Sequence, residues 1–336
     1  MSRIYKVKKG DTLQLIAEKL QISVNDLRHY HNMRCELWEL LEQKLTSKTE
    51  RIIVPSEEEL ASLQGHQQAV QKELERPSRY LDKKFYAKDY DVKEVVITSD
   101  KEVKTDYSLS LQMEKAEKGW SMIVNTTYEE ADTKFTELAT ACMQAMQPLK
   151  YHLSINGGIT DIENHREIIE QFTQKRTDIE GYFEGKLTKS YTNAFYEKLI
   201  DKEYMIERLQ MSFLNQVLFP RMEWFHKDNE KREEGFCPVQ GSDFIPYELE
   251  TEVIFEEYEI VTIVKGELKR NYNLWKLTEG FRMIDNITPF ESDFTIMYVT
   301  ERKSSQLYAI EAVLDIYFEG ELYRKNMLGI NKKSKL

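Results

Sequence analysis

The sequence predicts an α+β protein in which an N-terminal βααβ module precedes an antiparallel curved sheet or half-barrel with a long helical insert. Two observations predict this. Within the first 55 residues, two short apolar runs flank two segments with helical periodicity. Beyond about residue 92, segments with two-residue alternation lie on both sides of a long helical stretch. We therefore divide the chain into a module at 1–55, a polar linker or helix at 56–90, and an α+β body at 91–336.

The elements of the module follow from its local signals. The first strand ends at Gly10, and either Asp11 or Thr12 caps the first helix. Ser23, with Asp26 three residues later, has the spacing that starts a second helix. The run RIIVP then forms a second strand, which its proline stops.

These residues carry a family resemblance. The run YKVKKGDTL at 5–13, then Ile-Ala at 16–17, SVNDL at 23–27, Asn32, and Ile-Val-Pro at 53–55, resembles a LysM domain. The resemblance covers about one sixth of the chain. It implies a βααβ fold that binds N-acetylglucosamine-containing glycans such as peptidoglycan or chitin. It also implies that the groove lies between the strand-1/helix-1 loop and the helix-2/strand-2 loop.

Carried onto this sequence, the resemblance implies glycan contacts at Gly10, Asp11, Thr12, Leu13 and Asn32. Backbone amides and small side chains in such a loop suit N-acetyl and hydroxyl groups. Asp11 and Thr12 have an equally good structural interpretation as helix caps, and the sequence leaves both open.

The segment after Asn32 is longer than is usual in the family. Leucines with helical spacing predict an extra helix that takes the place of the second glycan loop; they are Leu37, Leu40, Leu41 and Leu45. His29, His31 and Cys35 lie close together in the sequence but lack a fourth metal ligand nearby. We expect packing or surface histidines there and no metal site.

The body is predicted from its periodicity, with strands at about 92–128 and 247–330 and helices at about 131–219. Single strands are predicted over 92–97, 107–113, 120–124, 151–155, 247–255, 259–268, 293–300 and 307–318, with a final short strand after Gly320. Helices are predicted over 131–146, 162–183 and 190–219, the last two as an antiparallel pair joined around Gly185. The charged run at 226–235 is predicted to be a loop.

Charge and cysteine content exclude several classes of protein. The net charge is −11, although residues 1–55 carry ten Lys or Arg against seven Asp or Glu. The acidic excess therefore lies in the remainder of the chain, which argues against a nucleic-acid partner and against attraction to anionic membranes. Three widely spaced cysteines, Cys35, Cys142 and Cys237, indicate free thiols rather than a disulfide framework.

No catalytic signature is present, so we expect no enzyme activity and no cofactor. The run Asn-Gly-Gly at 156–158 is better explained as a turn than as a phosphate-binding loop. His152 and His165 flank this turn with Asp161 and Glu163 between them, which leaves an acid–base or metal pair conceivable. A solvent-facing position on a strand is the ordinary interpretation of His152.

The N-terminus lacks the apolar core of a signal peptide, and no run is long enough for a membrane helix. We therefore expect a cytoplasmic protein, or one delivered to the periplasm or exterior by a secretion machine. LysM-like modules without a signal peptide resemble those of bacterial contractile injection systems, such as type VI secretion and phage tails, which suggests an adaptor with protein partners there. The alternatives are a peptidoglycan-binding cell-wall protein, a glycan hydrolase, and a scaffold whose curved sheet holds an apolar group.

Overall fold

The computed structural model describes residues 3–36, 39–41, 45–46, 49–128, 133–239, 241–270, 272–273, 277 and 289–333. The chain forms two compact units, Met1–Glu75 and Arg76–Leu336. No helix within the described ranges combines the length and apolar character needed to cross a membrane.

The first unit contains the βααβ order that the sequence predicts. It consists of β1 (Arg3–Lys6), α1 (Leu13–Leu20), α2 (Val24–Asn32) and β2 (Arg51–Val54). The two strands pair antiparallel, with Arg3 opposite Val54. A small apolar core lies between the strands and the helices, formed by Leu13, Ile16, Ala17, Ile22, Leu27, Leu41, Ile52 and Val54.

Side chains of the predicted type cap both helices. The Thr12 hydroxyl accepts a hydrogen bond from Leu15 N at 3.1 Å, and the Ser23 hydroxyl accepts one from Asp26 N at 3.0 Å. Each bond satisfies one of the backbone N–H groups that the first turn of a helix leaves without an intrahelical partner. Of the two alternatives for α1, the cap is therefore Thr12, and the Asp11 carboxylate accepts other bonds.

A third helix, α3 (Glu57–Glu75), extends the first unit beyond the βααβ elements. Leu60 and Leu63 pack against the small core. The Tyr30 hydroxyl donates to Glu59 Oε2 at 2.7 Å, and Gln64 Nε2 donates to Leu20 O at 2.8 Å. The first half of the polar segment at 56–90 is thus a helix attached to the module.

The second half of that segment belongs to the other unit. Leu81, Phe85 and Tyr86 are buried in the large core of the body. The Leu81 N–H donates to Ile155 O at 2.7 Å, and Leu307 N donates to Phe85 O at 2.6 Å. Apolar side chains anchor this stretch, although its overall composition is polar.

The body is built on an open antiparallel sheet, which agrees with the predicted fold class. Its strands are β3 (Asp89–Thr98), β4 (Lys101–Lys115), β5 (Trp120–Tyr128), β6 (Leu149–Leu153), β7 (Ile159–Ile162), β8 (Arg232–Phe236), β9 (Ile245–Phe255), β10 (Glu259–Leu268), β11 (Tyr272–Asn273), β12 (Pro289–Glu301), β13 (Leu307–Phe318) and β14 (Glu321–Lys332). Their order is β7-β6-β5-β4-β3-β14-β13-β12-β10-β9-β8, with β11 paired to β12. The last long strand, β14, therefore pairs with β3, the first strand of the body, and this pairing joins the N-terminal and C-terminal strands into one sheet.

Two stretches of the sheet differ from the expectation. The final strand, β14, has 12 residues and pairs on both sides, so it is not short. The prediction of a loop over residues 226–235 is wrong at its C-terminal end, where β8 forms an edge strand. Charged residues are tolerated there because Arg232 donates to Glu234 Oε1 at 2.7 Å and to Thr251 Oγ1 at 2.9 Å.

The insert between β5 and β8 holds five helices and one hairpin, β6–β7, within the described residues. The helices are α4 (Lys134–Ala145), α5 (His165–Tyr182), α6 (Lys186–Ile200), α7 (Lys202–Met211) and α8 (Phe213–Leu218). A 3-10 helix, Met222–His226, follows them. The antiparallel neighbours α5 and α6 meet around Gly185, as the sequence predicts.

Two helix predictions in the insert are wrong in detail. The helix expected from residue 162 begins at His165, because Ile159–Ile162 pairs with β6 instead. The single helix expected over 190–219 is divided into α6, α7 and α8. It breaks because Asp201 and Ser212 have extended backbone conformations, and their side chains accept from the first turns of α7 and α8.

Tyrosine hydroxyls connect the sheet to the insert. The Tyr298 hydroxyl on β12 donates to Val217 O at 3.0 Å, and the Tyr86 hydroxyl donates to Leu218 O at 3.0 Å. All four residues are buried, so these bonds satisfy carbonyls at the end of α8 that water does not reach. They fix the position of the C-terminal end of α8 relative to β12 and Tyr86.

Candidate functional site

The β1–α1 loop, residues 7–12, is the part of the module that the glycan-binding prediction singles out. The Val7 N–H donates to Glu50 O at 3.0 Å, which places this loop beside the end of the α2–β2 connection. The loop turns at Gly10, whose φ of +94° is a conformation that favours glycine. A Cβ built on Gly10 meets no atom within 4 Å, so the apex of the loop is open.

The Asp11 carboxylate points into the loop. Its Oδ2 accepts from Lys8 N at 2.8 Å and from the Tyr5 hydroxyl at 2.9 Å, and its Oδ1 lies 3.4 Å from Lys19 Nζ. The Lys8 N–H is the main cause of the lowered pKa of Asp11. The side chain is 8% exposed, so its place in the structure is to hold the shape of the loop.

The next two predicted residues differ in position. Thr12 is exposed, and because its oxygen caps α1, its hydroxyl proton can still be donated to a ligand. Leu13 is buried in the core of the module. The loop also presents backbone donors: within the described residues, the N–H groups of Lys9, Gly10 and Thr12 donate to no protein acceptor.

Asn32, the fifth predicted residue, uses its amide to hold the chain. Its Nδ2 donates to Leu41 O at 3.0 Å, and its Oδ1 accepts from Leu41 N at 2.8 Å. The structure thus brings Gly10, Asp11 and Thr12 together at one loop and places Asn32 at the α2–β2 connection. Whether any of them contacts glycan stays a prediction.

His31, for which the sequence left a packing and a surface role open, is a buried structural residue. Its Nδ1 accepts from Ile53 N at 2.9 Å, so the Nε2 atom carries the proton and donates to Glu39 O at 2.9 Å. The only sequence signal was a histidine next to an asparagine at the end of α2. The side chains of His31 and Asn32 thus hold the described part of the α2–β2 connection in place by hydrogen bonds. The extra helix predicted there includes residues 37, 38 and 42–44, which lie outside the described residues.

The possible metal positions are occupied by other contacts. Both ring nitrogens of His31 are engaged, and His29 is exposed on another side of α2. Cys35 is a free thiol whose pKa burial raises. Within the described ranges, no three His, Cys, Asp or Glu side chains form a group that could hold a metal.

The candidate acid–base residues around the β6–β7 hairpin do not form one site. His152 and His165 make separate contacts. His152 Nδ1 lies 3.0 Å from Glu163 Oε1, and Glu163 Oε2 accepts from the Ser121 hydroxyl at 2.7 Å. His165 is not part of this group, because its Nε2 donates to Leu199 O at 2.8 Å. A serine and a histidine that share a carboxylate without touching each other do not form a nucleophile–base pair.

Comparison with known proteins identifies the module. A family model described as the LysM domain matches residues 5–36, which span the second half of β1 and all of α1 and α2. This confirms the resemblance seen in the sequence, and the structure adds β2 to complete the βααβ fold. The chain matches no curated protein.

A solved structure of lipovitellin, described by its lipid–protein interactions, is similar to this chain, with 8% sequence identity and a TM-score of 0.36. The alignment covers 73% of this chain and 24% of the lipovitellin chain, so this chain spans about a quarter of that protein. Similarity at this level supports no statement about the fold or function of the body.

Proposed function

We propose that the N-terminal module binds an N-acetylglucosamine-containing glycan such as peptidoglycan, and that the chain acts as a glycan-binding protein without enzyme activity. The observation that carries the proposal is the LysM family match over residues 5–36, which includes the whole exposed β1–α1 loop. LysM domains bind glycans of this class.

The chemistry of the loop supports this proposal. A sugar N-acetyl group offers a carbonyl acceptor and an amide donor, and its ring offers hydroxyl groups. The N–H groups of Lys9, Gly10 and Thr12, which have no acceptor among the described residues, and the Thr12 hydroxyl are suitable donors for these oxygens. Gly10 leaves space for a ring to approach the backbone closely.

The rigidity of the loop also favours binding. Asp11 bonds to Tyr5 and Lys8, and Val7 bonds to Glu50, so the loop conformation is set before any ligand arrives. A preorganised loop does not lose further conformational freedom on binding, which improves affinity. We therefore assign Asp11 and Asn32 to positioning the loops and Gly10 and Thr12 to ligand contact.

The adaptor function in a contractile injection system remains a prediction, since no further observation supports it. The absence of enzyme activity likewise rests on the lack of a catalytic motif. The hydrolase alternative gains nothing from the His152 and Glu163 contact described above.

The proposal is tested by sedimenting the full chain with insoluble peptidoglycan. Gly10→Trp places a bulky ring in the open space at the loop apex, and we expect it to leave the protein in the supernatant. Gly10→Ala is the matched control, because it introduces the same backbone strain at positive φ without the bulk. Gly65→Trp, at an exposed and equally open glycine on α3, controls for an added tryptophan.

The expected pattern is that the natural chain, Gly10→Ala and Gly65→Trp pellet while Gly10→Trp does not. A natural chain that stays in the supernatant at all protein concentrations tested contradicts the proposal. Pelleting of Gly10→Trp to the same extent as the natural chain would place the binding surface elsewhere.

A further inference from the structure

A cavity of about 450 Å³ lies in the body between the sheet and the helical insert. Strands β3 to β6 and β14 form one wall, and α4 with α6 to α8 form the other. The inner surface is apolar and consists of buried side chains, among them Leu109, Val124, Leu149, Met205 and Leu218. Its volume is within the range of about 300–1,000 Å³ that is typical of small-molecule sites.

The lining of the cavity is mostly apolar but includes charged side chains. On β14, Asn326 is buried and Arg324 is half-buried nearer to the hairpin with β13, and both line the cavity. On the neighbouring strand β3, Glu94 also lines it. The cavity therefore combines a large apolar surface with a few charged groups.

Arg324 is the most informative of these groups. Its Nε donates to Asn326 Oδ1 at 3.0 Å. Burial is the main cause of its lowered pKa, so its charge is held at some cost. In the part of the chain that the structure describes, no carboxylate lies within ion-pair distance of its guanidinium. Its terminal NH₂ groups are thus available to an acceptor that enters the cavity.

The remaining charged groups of the lining favour an anion. Lys198 and Arg208 lie 5.7 Å and 4.9 Å from the centre of the Tyr204 ring, and all three residues line the cavity. Within the described part of the lining, Glu94 is the one carboxylate, and it accepts from the Tyr107 hydroxyl at 3.3 Å. Cationic side chains therefore outnumber carboxylates around the cavity.

We propose that this cavity binds an anionic amphiphile, a molecule with one apolar chain and one carboxylate head. The apolar chain packs against the buried apolar side chains of the lining, where it gains dispersion contacts that an apolar void lacks. The carboxylate accepts two parallel hydrogen bonds from the Arg324 guanidinium. This site lies in the second unit and is independent of glycan binding by the first.

The test is isothermal titration of the full chain with dodecanoate, kept below its micelle concentration. Dodecan-1-ol and dodecyltrimethylammonium have the same chain with a neutral and a cationic head. We expect dodecanoate to bind with one-to-one stoichiometry and the alcohol roughly tenfold more weakly, because a charge-assisted bond is stronger than a neutral one. The cationic probe should bind more weakly still.

Two substitutions examine the head-group site in opposite directions. Arg324→Gln should weaken dodecanoate binding roughly tenfold and leave dodecan-1-ol unaffected. Glu94→Gln removes the one carboxylate found among the described lining residues and should tighten dodecanoate binding, an effect that a damaged fold cannot produce. Lys93→Gln is the matched control, since it removes one positive charge from the exposed face of the same strand as Glu94.

A third substitution examines the apolar part of the lining. Leu209 on α7 lines the cavity, and Leu209→Trp should abolish binding of both dodecanoate and the alcohol. Glu207→Trp, at an exposed position of the same helix, should bind both normally. The proposal is overturned if the natural chain shows no saturable binding of dodecanoate, or if the alcohol binds as well as dodecanoate and Arg324→Gln changes neither.

Discussion

The two units of this chain use buried polar groups in different ways. In the first unit, short polar side chains bond to the backbone of irregular segments: His31 holds Glu39 and Ile53, and Asn32 holds Leu41. The second unit has such a bond pair at Asn164, and it adds the hydroxyls of buried tyrosines such as Tyr298, which bond to helix carbonyls across a large apolar core. The difference follows from size, because a small unit buries too little apolar surface to order its loops by packing alone.

The same contrast separates the two candidate sites. The site of the module is an exposed surface loop whose shape is set by hydrogen bonds to Asp11. The site of the body is an interior space whose shape is set by strand register and by the breaks between α6, α7 and α8. Substitutions that test this comparison should therefore lower stability through lost side-chain packing in the body and through lost single hydrogen bonds in the module.

The largest effect is expected in the body core. The Phe294 ring is buried and stacks on Phe236 with ring centres 4.4 Å apart. Phe294→Ala should lower the free energy of unfolding by about 3–5 kcal/mol, because it leaves a cavity among rings that cannot collapse. Urea denaturation followed by circular dichroism measures this. Phe135→Ala, at a ring that is 64% exposed, should cost less than about 1 kcal/mol; equal losses would contradict the assignment of the core.

In the module, the largest single polar effect is expected at His31. His31→Ala removes two hydrogen bonds and leaves the Ile53 N–H without its partner, which should cost about 2–3 kcal/mol. Hydrogen exchange at the Ile53 amide is the direct measurement, and it should accelerate strongly. His29→Ala, two residues away on the exposed side of α2, is the control. Unchanged exchange at Ile53 in His31→Ala would show that the ring does not clamp β2.

Acid should weaken the contact between α3 and the module. The Ser56 N–H, followed by the Tyr30 hydroxyl, lowers the pKa of Glu59 from 4.5 to about 2. Since the folded state has the lower pKa, the stabilisation by Glu59 is complete above pH 4.5 and is lost as the pH falls toward 2. Urea unfolding between pH 2 and 7 should show this slope in the natural chain.

The variant Glu59→Gln provides the comparison for that experiment. It keeps the shape of the side chain and cannot ionise, so the part of the acid dependence that Glu59 contributes should disappear. If the slopes between pH 2 and 4.5 are the same in both proteins, Glu59 does not stabilise the folded module through its charge.

The smallest effects are expected at the helix caps, and they compare the two units directly. Ser23 caps α2 in the module and Ser212 caps α8 in the body, each through its hydroxyl. Replacement by Ala should cost about 1 kcal/mol at either position, since the lost bond is local. Thermal unfolding measures both. A much larger loss for Ser212→Ala would mean that the break before α8 is also needed to fit the helix onto the sheet.

Several features were predictable from local patterns. β10 and β13 have the bounds that their alternation predicts, because the period of apolar residues directly reports which face of a strand is buried. The order of elements in the module followed from the Ser and Thr caps and from the LysM-like residues. The loop carrying Gly10, Asp11 and Thr12 was found in the same way.

Other features were not predictable, for a common physical reason. A periodic pattern shows which face of an element is buried but not what covers that face. The pairing of β14 with β3 joins residues more than two hundred positions apart, such as Asn331 and Asp91. The breaks at Asp201 and Ser212 were missed because apolar periodicity continues across them, although both residues compete with the helix for backbone bonds.

By itself, the sequence determined the α+β fold class, the LysM module at the N-terminus and most of the strands, because these features depend on residues that are close together in the chain. Tertiary structure alone decided that Asp11 and Asn32 hold loops, that His31 bonds to both Ile53 and Glu39, and that Arg324 lines a largely apolar cavity. Each of these roles depends on which distant atoms are brought within hydrogen-bonding reach. Long-range packing sets those distances, and local sequence patterns do not encode them.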